Sequence, residues 1–166
     1  SITVLGFLIV AMSMVGLANA ITMSIIERTR EIGILRCVGA RFVAIGPKGS
    51  RTMSAESFFT DLFTTQLSAD EVLTEVVVNG YGAGTGAYYA KFAHPASGYA
   101  VVGAAAMITI ANGVATRVSL VLGGATPNPI RCSAAEAALS GKAPSAENIA
   151  AAADAVACAI KDPLSD

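Results

Sequence analysis

Met107-Ile-Thr-Ile-Ala-Asn112-Gly113-Val-Ala-Thr-Arg-Val-Ser-Leu-Val-Leu122 reads as two strands joined by a two-residue turn. Asn-Gly tolerates positive φ at both central positions of a type I′ turn, whose twist matches that of paired antiparallel strands. On the second arm Val118, Leu120 and Leu122 point one way, while Arg117, Ser119 and Val121 point the other. Working upstream, Tyr88–His94 alternates and Glu71–Val78 is rich in β-branched residues, so both read as strands. A glycine-rich connection, Gly80–Gly86, lies between them. Downstream, Ser133-Ala-Ala-Glu136 has capping-box spacing and opens a helix that stops near Gly141. Pro144-Ser145 begins a longer helix, with Ile149, Ala153, Val156 and Ile160 on one face and Asp162-Pro163 at its end. Strands followed by segregated helices predict an α+β domain. Its antiparallel sheet contains Tyr88–His94, Met107–Ile110 and Val114–Leu122, covered on one face by the helix from Ser145.

Between Phe42 and Thr65 the signals are shorter. Gly46-Pro47-Lys48-Gly49-Ser50 is a turn cluster. Phe58, Phe59, Leu62 and Phe63 recur at helical spacing, which suggests a short amphipathic helix or turn over Ser54–Thr65.

The first segment is different in kind. Ile2 to Ile26 runs for 25 positions without a formal charge, in a chain of 166 residues that is 54% hydrophobic and 14% charged. A helix of that length spans a bilayer core of about 30 Å. Small residues (Gly6, Ala11, Ser13, Gly16, Ala18, Ala20) are scattered along it, as in membrane helices that pack closely. Arg28, Arg30, Arg36 and Arg41 follow and would place that end on the cytoplasmic side. Ala18-Asn19-Ala20 also fits a signal-peptide cleavage site, but no Lys or Arg precedes the apolar run and apolar residues continue past the site. The reading is a separate N-terminal membrane-type helix over residues 1–26.

Formal net charge is −1, which gives no basic surface for a nucleic acid. Cys37, Cys132 and Cys158 are far apart and odd in number, and read as buried thiols rather than a disulfide framework or metal site. Gly82-Ala-Gly84-Thr-Gly86-Ala87 has the spacing of a dinucleotide fingerprint. Yet the next residues, Tyr88-Tyr-Ala-Lys-Phe-Ala93, read as strand, and no acidic residue stands about 20 positions on. His94, the only histidine, is followed by Pro95 and has no carboxylate nearby in sequence to orient it, so a structural or cofactor-edge role is favoured. Between Val76 and Ala135 there is no acidic residue at all, while Lys91, His94, Arg117 and Arg131 are present. Such a segment suits an anionic partner such as a cofactor pyrophosphate. Lys91 lies among Tyr88, Tyr89 and Phe92, which would suit a planar ring system or an ordinary strand with a snorkelling lysine.

Gly46-Pro-Lys-Gly-Ser-Arg-Thr-Met-Ser-Ala-Glu-Ser-Phe-Phe-Thr-Asp-Leu-Phe-Thr-Thr65 and Asp70-Glu-Val-Leu-Thr-Glu-Val76 resemble the end of the FAD-binding domain of aerobic carbon monoxide dehydrogenase medium subunits. Tyr89-Ala-Lys-Phe-Ala-His-Pro-Ala-Ser-Gly-Tyr-Ala-Val-Val-Gly103 and Leu122-Gly-Gly-Ala-Thr-Pro-Asn-Pro-Ile-Arg131 resemble the C-terminal domain of the same molybdenum hydroxylase flavoproteins, as does Ala134 to Pro163. The resemblance covers residues 42–166. It implies an FAD-carrying subunit that takes electrons from iron–sulfur clusters of a small subunit and passes them to an external acceptor. Substrate oxidation would occur on a molybdenum-binding large subunit. By position, Leu73 and Lys91 match family residues that contact FAD, and Tyr99 matches the one near the flavin ring. The family's two glycine-rich pyrophosphate loops have no counterpart here, so weak or absent FAD binding by this fragment is expected.

Ser24-Ile-Ile-Glu-Arg-Thr-Arg-Glu-Ile-Gly-Ile-Leu-Arg-Cys-Val-Gly-Ala40 resembles instead the FtsX-like permeases of ABC transporters. The implied organisation is a permease-like fragment over 1–41, the end of an FAD-binding domain over 42–84, and a flavoprotein C-terminal domain over 85–166. The join at Arg41-Phe42 then reads as a fused or misassembled reading frame. A cytoplasmic flavoprotein part is implied, with possible membrane contact through residues 2–26.

Overall fold

The computed structural model describes residues 6–7, 10–17, 33–61, 64–96, 98, 100–126, 128–157 and 160. The Asn-Gly hairpin is as the sequence reads: Asn112 has φ 52° and Gly113 φ 79°, joining β7 (Ala100–Ala111) to β8 (Val114–Gly123). With β6 (Thr85–Ala93) and the short β9 (Ile130–Arg131) they form one antiparallel sheet in the order β6-β7-β8-β9. β7 starts well before Met107, because small residues from Gly103 to Ala106 pair with β6 as readily as the β-branched ones beyond.

A second antiparallel sheet precedes it, built from β1 (Arg41–Gly46), β2 (Gly49–Ser54) and β5 (Val72–Val77) in the order β2-β1-β5. The turn cluster at Gly46–Ser50 is therefore the turn of a hairpin. Ser54 caps the one-turn helix α1 (Ala55–Phe58), its hydroxyl accepting from the Ser57 amide at 3.2 Å. The helix stops there, since Phe59 turns to extended backbone and starts β3 (Phe59–Asp61), which pairs with β4 (Thr64–Thr65). Leu62 and Phe63 lie outside the described residues. Phe58 stacks on Phe42 at 4.3 Å between centroids, and Phe59 meets both edge-on. These rings, with Ala44, Met53 and Ala55, make the core of the second sheet.

The β6–β9 sheet is covered on both faces along β7 and β8, while β6 is largely exposed. One face carries Leu122 and the partly buried Val118 and Leu120, against α2 (Ser133–Leu139) and α3 (Ala146–Ala157). The capping box does not form. Ser133 is already helical and Cys132 takes the cap position without a side-chain bond. Glu136 turns instead to the sheet, accepting from the Leu120 amide at 2.8 Å and from Arg131 Nε at 2.8 Å. Ser145 does cap α3, accepting from the Asn148 amide at 3.3 Å. α3 leans mainly on α2 through the buried Ala152, with Val156 and Ile160 partly buried. Ile149, expected in the core, is 49% exposed. Alanines at 104, 106, 135, 152 and 153 are too short to close the gap, and an apolar hollow of about 410 Å³ remains between helices and sheet, with Ile149 on its wall.

The opposite face, with Ala105, Met107 and Val121, is covered by residues 33–40. Residues 33–37 are helical, and Cys37, Ile34 and Val38 pack against that face. Packing thus continues upstream of Arg41, where β1 begins. Of the expected helix over 1–26, residues 10–17 are helical, with Val10, Met12, Met14, Val15 and Leu17 exposed, and Phe7 is exposed as well. The other positions, apart from Gly6, lie outside the described residues. Among the described residues no helix is long and apolar enough to cross a membrane.

Candidate flavin-side site

Leu73, Lys91 and Tyr99 are the residues that the family resemblance marks for a cofactor. Leu73 sits on β5 opposite Ala44, next to a register shift in the β1–β5 pairing. A clamp upstream fixes the start of this strand. Arg51 Nε and Nη2 donate to the two Glu71 carboxylate oxygens at 2.7 and 2.8 Å, and the Ser68 amide donates to Glu71 at 2.8 Å. The guanidinium and these hydrogen bonds hold the Glu71 carboxyl down to about 2. Gly46 makes room for it, because a Cβ there would stand 2.8 Å from Glu71 Cγ. The result is a fixed start for β5 and a Leu73 side chain that is 36% exposed.

Lys91 is on β6, exposed, and opposite Gly103 on β7. Alternation along β6 puts Tyr89 and Lys91 on one face and Tyr88 and Phe92 on the other. Tyr88 and Phe92, 76% and 70% exposed, therefore do not flank the ammonium group as their nearness in sequence suggests. Tyr89 does share its face. Its ring runs along β7 over Gly103, where a Cβ would stand 2.7 Å from the phenol Cζ. Leu73 and Lys91 belong to different sheets and are linked by no strand pairing. Tyr99 lies outside the described residues.

The other cations of the acid-free stretch are already engaged. Arg131 is held by Glu136, whose hydrogen bond raises its pKa, and Glu56 stands 3.8 Å away. The Arg117 guanidinium lies 5.1 Å from the Tyr81 ring centroid. Lys91 makes no ion pair among the described residues. His94 is a turn residue, its Nδ1 accepting from the Ala96 amide at 3.2 Å and its carbonyl from Gly98 at 2.8 Å.

The glycine run at 82–87 leads into β6, not into a helix. Gly84, at φ 83°, is needed because a Cβ there would meet the Ile110 carbonyl at 2.5 Å. That is hairpin packing rather than a phosphate cradle. Cys37 and Cys132 are free and buried, and burial raises both thiol pKa values. Cys158 lies outside the described residues.

Sequence reasoning missed Arg36. Its guanidinium donates to the Pro129 carbonyl and, at 2.9 Å, to the Phe59 carbonyl, so it ties residues 33–37 to the lead-in of β9 and to β3. Burial lowers its pKa, and its Nε is buried without a partner. The signal was an arginine inside an apolar run, Ile34-Leu-Arg-Cys-Val38.

Residues 87–166 match the model of the CO dehydrogenase flavoprotein C-terminal domain. The carbon monoxide dehydrogenase medium chain of Hydrogenophaga pseudoflava is 34% identical over 129 residues, covering 78% of this chain and 45% of that one. The nicotine 6-hydroxylase medium subunit of Paenarthrobacter nicotinovorans is 32% identical over 112 residues, covering 65% and 38%. A solved Hydrogenophaga pseudoflava carbon monoxide dehydrogenase, which lacks the Mo-pyranopterin moiety of its molybdenum cofactor, superposes with a TM-score of 0.75 at 38% identity. It covers 81% of this chain and 47% of that one. The chain therefore spans less than half the length of the relatives it matches. A shorter match, residues 3–46, is to the FtsX-like permease C-terminal model. Its last part, residues 33–46, is the stretch that supplies Arg36, Cys37 and β1 to the two sheets.

A flavin dinucleotide asks for positive charge near its phosphates and apolar surface along its ring. Lys91, exposed and without an ion pair among the described residues, offers positive charge, and the part-exposed Leu73 offers apolar surface on a separate sheet.

Proposed function

We propose that this chain supplies the C-terminal flank of an FAD site in the electron-transfer subunit of a molybdenum hydroxylase related to carbon monoxide dehydrogenase. The observation that carries the reading is Lys91. Within the stretch matched by the flavoprotein domain it is an exposed cation without an ion-pair partner among the described residues. Lys91 would supply positive charge to the cofactor, and Leu73 an apolar contact at its edge. Tyr99 would lie beside the ring and restrict access to it. Bound FAD would accept electrons from iron–sulfur clusters of a small subunit and release them to an external acceptor, with substrate oxidised on a molybdenum-binding large subunit. The organisation follows the same reading: residues 42–84 close an FAD-binding domain and residues 85–166 form the C-terminal one.

On this reading the amides that anchor a pyrophosphate would come from the family's glycine-rich loops, which match nothing in the 166-residue chain. Titrating the 166-residue chain with FAD and following flavin fluorescence should therefore show weak binding or none. Copurification of stoichiometric FAD would mean that the chain builds its own phosphate site and would overturn this division of labour.

A further inference from the structure

The hollow between the helices and the β6–β9 sheet is walled on two sides. Its floor is β7, where Ala104 and Ala106 face the helices with Leu122 of β8 beside them. Its roof is α3, with Ile149, Ala153 and Val156. At about 410 Å³ it falls within the ~300–1,000 Å³ of ordinary small-molecule sites. Ala104 and Ala106 are paired to β6 on one side and to β8 on the other, so the backbone of the floor is already hydrogen-bonded.

The charge around it is equally decisive. No charged side chain lines the space. Helices α2 and α3 carry Glu136, Glu147 and Asp154 and no cation. Glu136 is engaged by the Leu120 amide and Arg131, while Glu147 and Asp154 are exposed. Lys91 stands on the other face of β6, and Arg117 lies at the Tyr81 ring. An ionic group entering here would lose its hydration without gaining a partner. The occupant is therefore uncharged. Its shape follows from the floor, where two adjacent alanines leave a flat surface on which a planar ring can lie. Tyr88 is directly opposite Ala106 and Phe92 opposite Val102, so both rings share the face of the hollow at its β6 margin, and both are largely exposed. Exposed rings at that margin favour an aromatic group, which can meet them edge-on or offset-stacked.

We infer that this hollow binds a small uncharged aromatic molecule, lying on Ala104 and Ala106 beneath α3 with one edge toward Tyr88. Ile149, half-exposed on the wall, is covered by the ligand. The site is separate from Lys91 and stands or falls independently of the flavin reading.

The test is a fluorescence titration of the 166-residue chain with the neutral probe phenylnaphthylamine, displaced by naphthalene or by naphthoate. Saturable binding of one probe per chain is expected, with displacement by naphthalene. Naphthoate, the same ring bearing a carboxylate, should require about tenfold or more higher concentration. Ala106→Val narrows the hollow from the floor and Ala153→Leu from the roof, and each should weaken binding by about tenfold or more. Val72→Ser removes an exposed apolar side chain from the other sheet and should leave binding unchanged. Naphthalene should also raise the melting temperature of the wild-type chain and not that of Ala106→Val. Far-UV circular dichroism checks that each variant is folded, and the two narrowing variants act on different walls, so either one decides if the other misfolds. Absence of saturable binding, binding unchanged in a folded narrowed variant, equal displacement by naphthoate, or loss of binding in Val72→Ser would overturn the inference.

Discussion

Tyr89 lies across Gly103 so closely that the glycine has no room for a side chain: an added Cβ would overlap the hydroxyl and stand 2.7 Å from Cζ. The ring reaches over β7 toward Ala105 and the Cys37–Val38 segment, and Gly103 is the residue opposite Lys91. One backbone position thus serves both the packing of residues 33–38 and the neighbourhood of Lys91. Gly103→Ala should displace the Tyr89 ring and cost about 1–3 kcal/mol in urea unfolding. Tyr89→Ala in the same chain should remove most of the further cost of the alanine, and strictly additive losses would contradict the overlap.

Arg36 bridges the Pro129 and Phe59 carbonyls, and Cys37 and Val38 pack against Ala105, Met107 and Val121. Residues 33–40 are therefore structural parts of the fold that carries the β6–β9 sheet. A chain starting at residue 33 should keep a cooperative unfolding transition. One starting at residue 42 should lose it, because each large apolar side chain withdrawn from a core costs about 1.5–3 kcal/mol. Arg36→Ala in the full chain should cost about 1.5–3 kcal/mol, the range for hydrogen bonds from a charged donor. Equal stability of the two truncated chains would contradict this assignment.

The Arg51–Glu71 clamp has a pH signature. Glu71 is held at about 2 in the folded chain, below the ordinary glutamate value of about 4.3. A depressed carboxyl stabilises the fold above its unfolded pKa, and that contribution fades as pH falls from about 4 to about 2. The stability difference between wild type and Glu71→Gln, followed by circular dichroism, should be constant near neutrality and shrink across that window. A difference that does not change with pH would show that the clamp is not charged.

How much of this was legible in the sequence depended on the range of the interaction. The Asn112-Gly113 turn needs only its two residues to be recognised, and the two-faced pattern of Val118 to Leu122 is preserved in the packing. Strands β1 and β2 were not assigned although their turn was, because Phe42-Val-Ala-Ile45 is too short to declare a period by itself. The supposed capping box failed because Leu120 and Arg131, both outside the helix, compete successfully for the Glu136 carboxylate. Ile149 stays half-exposed because α3 rests on α2 through Ala152 rather than sinking onto the sheet. Leu73 and Lys91 came to notice through family resemblance alone. Their surroundings, Ala44, Gly103 and Tyr89, are set by strand register, which no local pattern records.

The apolar hollow under α3 gives a further handle on stability. Ala153 lines it from an exposed position beside Ile149. Ala153→Leu should fill part of the space and raise stability by about 0.5–2 kcal/mol, as cavity-filling substitutions commonly do. A loss of stability would mean that the helix cannot shift to admit the larger side chain.

The central claim is that Lys91 and its surroundings form one flank of an FAD site, and a hybrid chain tests it most directly. The Hydrogenophaga pseudoflava medium chain would keep its own upstream half and take residues 33–166 of this chain in place of its matched stretch. Purified hybrid should carry FAD, read from its flavin absorbance after protein quantification. Lys91→Glu in the hybrid should weaken FAD retention by about tenfold or more while leaving circular dichroism unchanged, the scale expected for replacing a charge-assisted contact by a repulsive one. Full FAD content in the Lys91→Glu hybrid would contradict the claim.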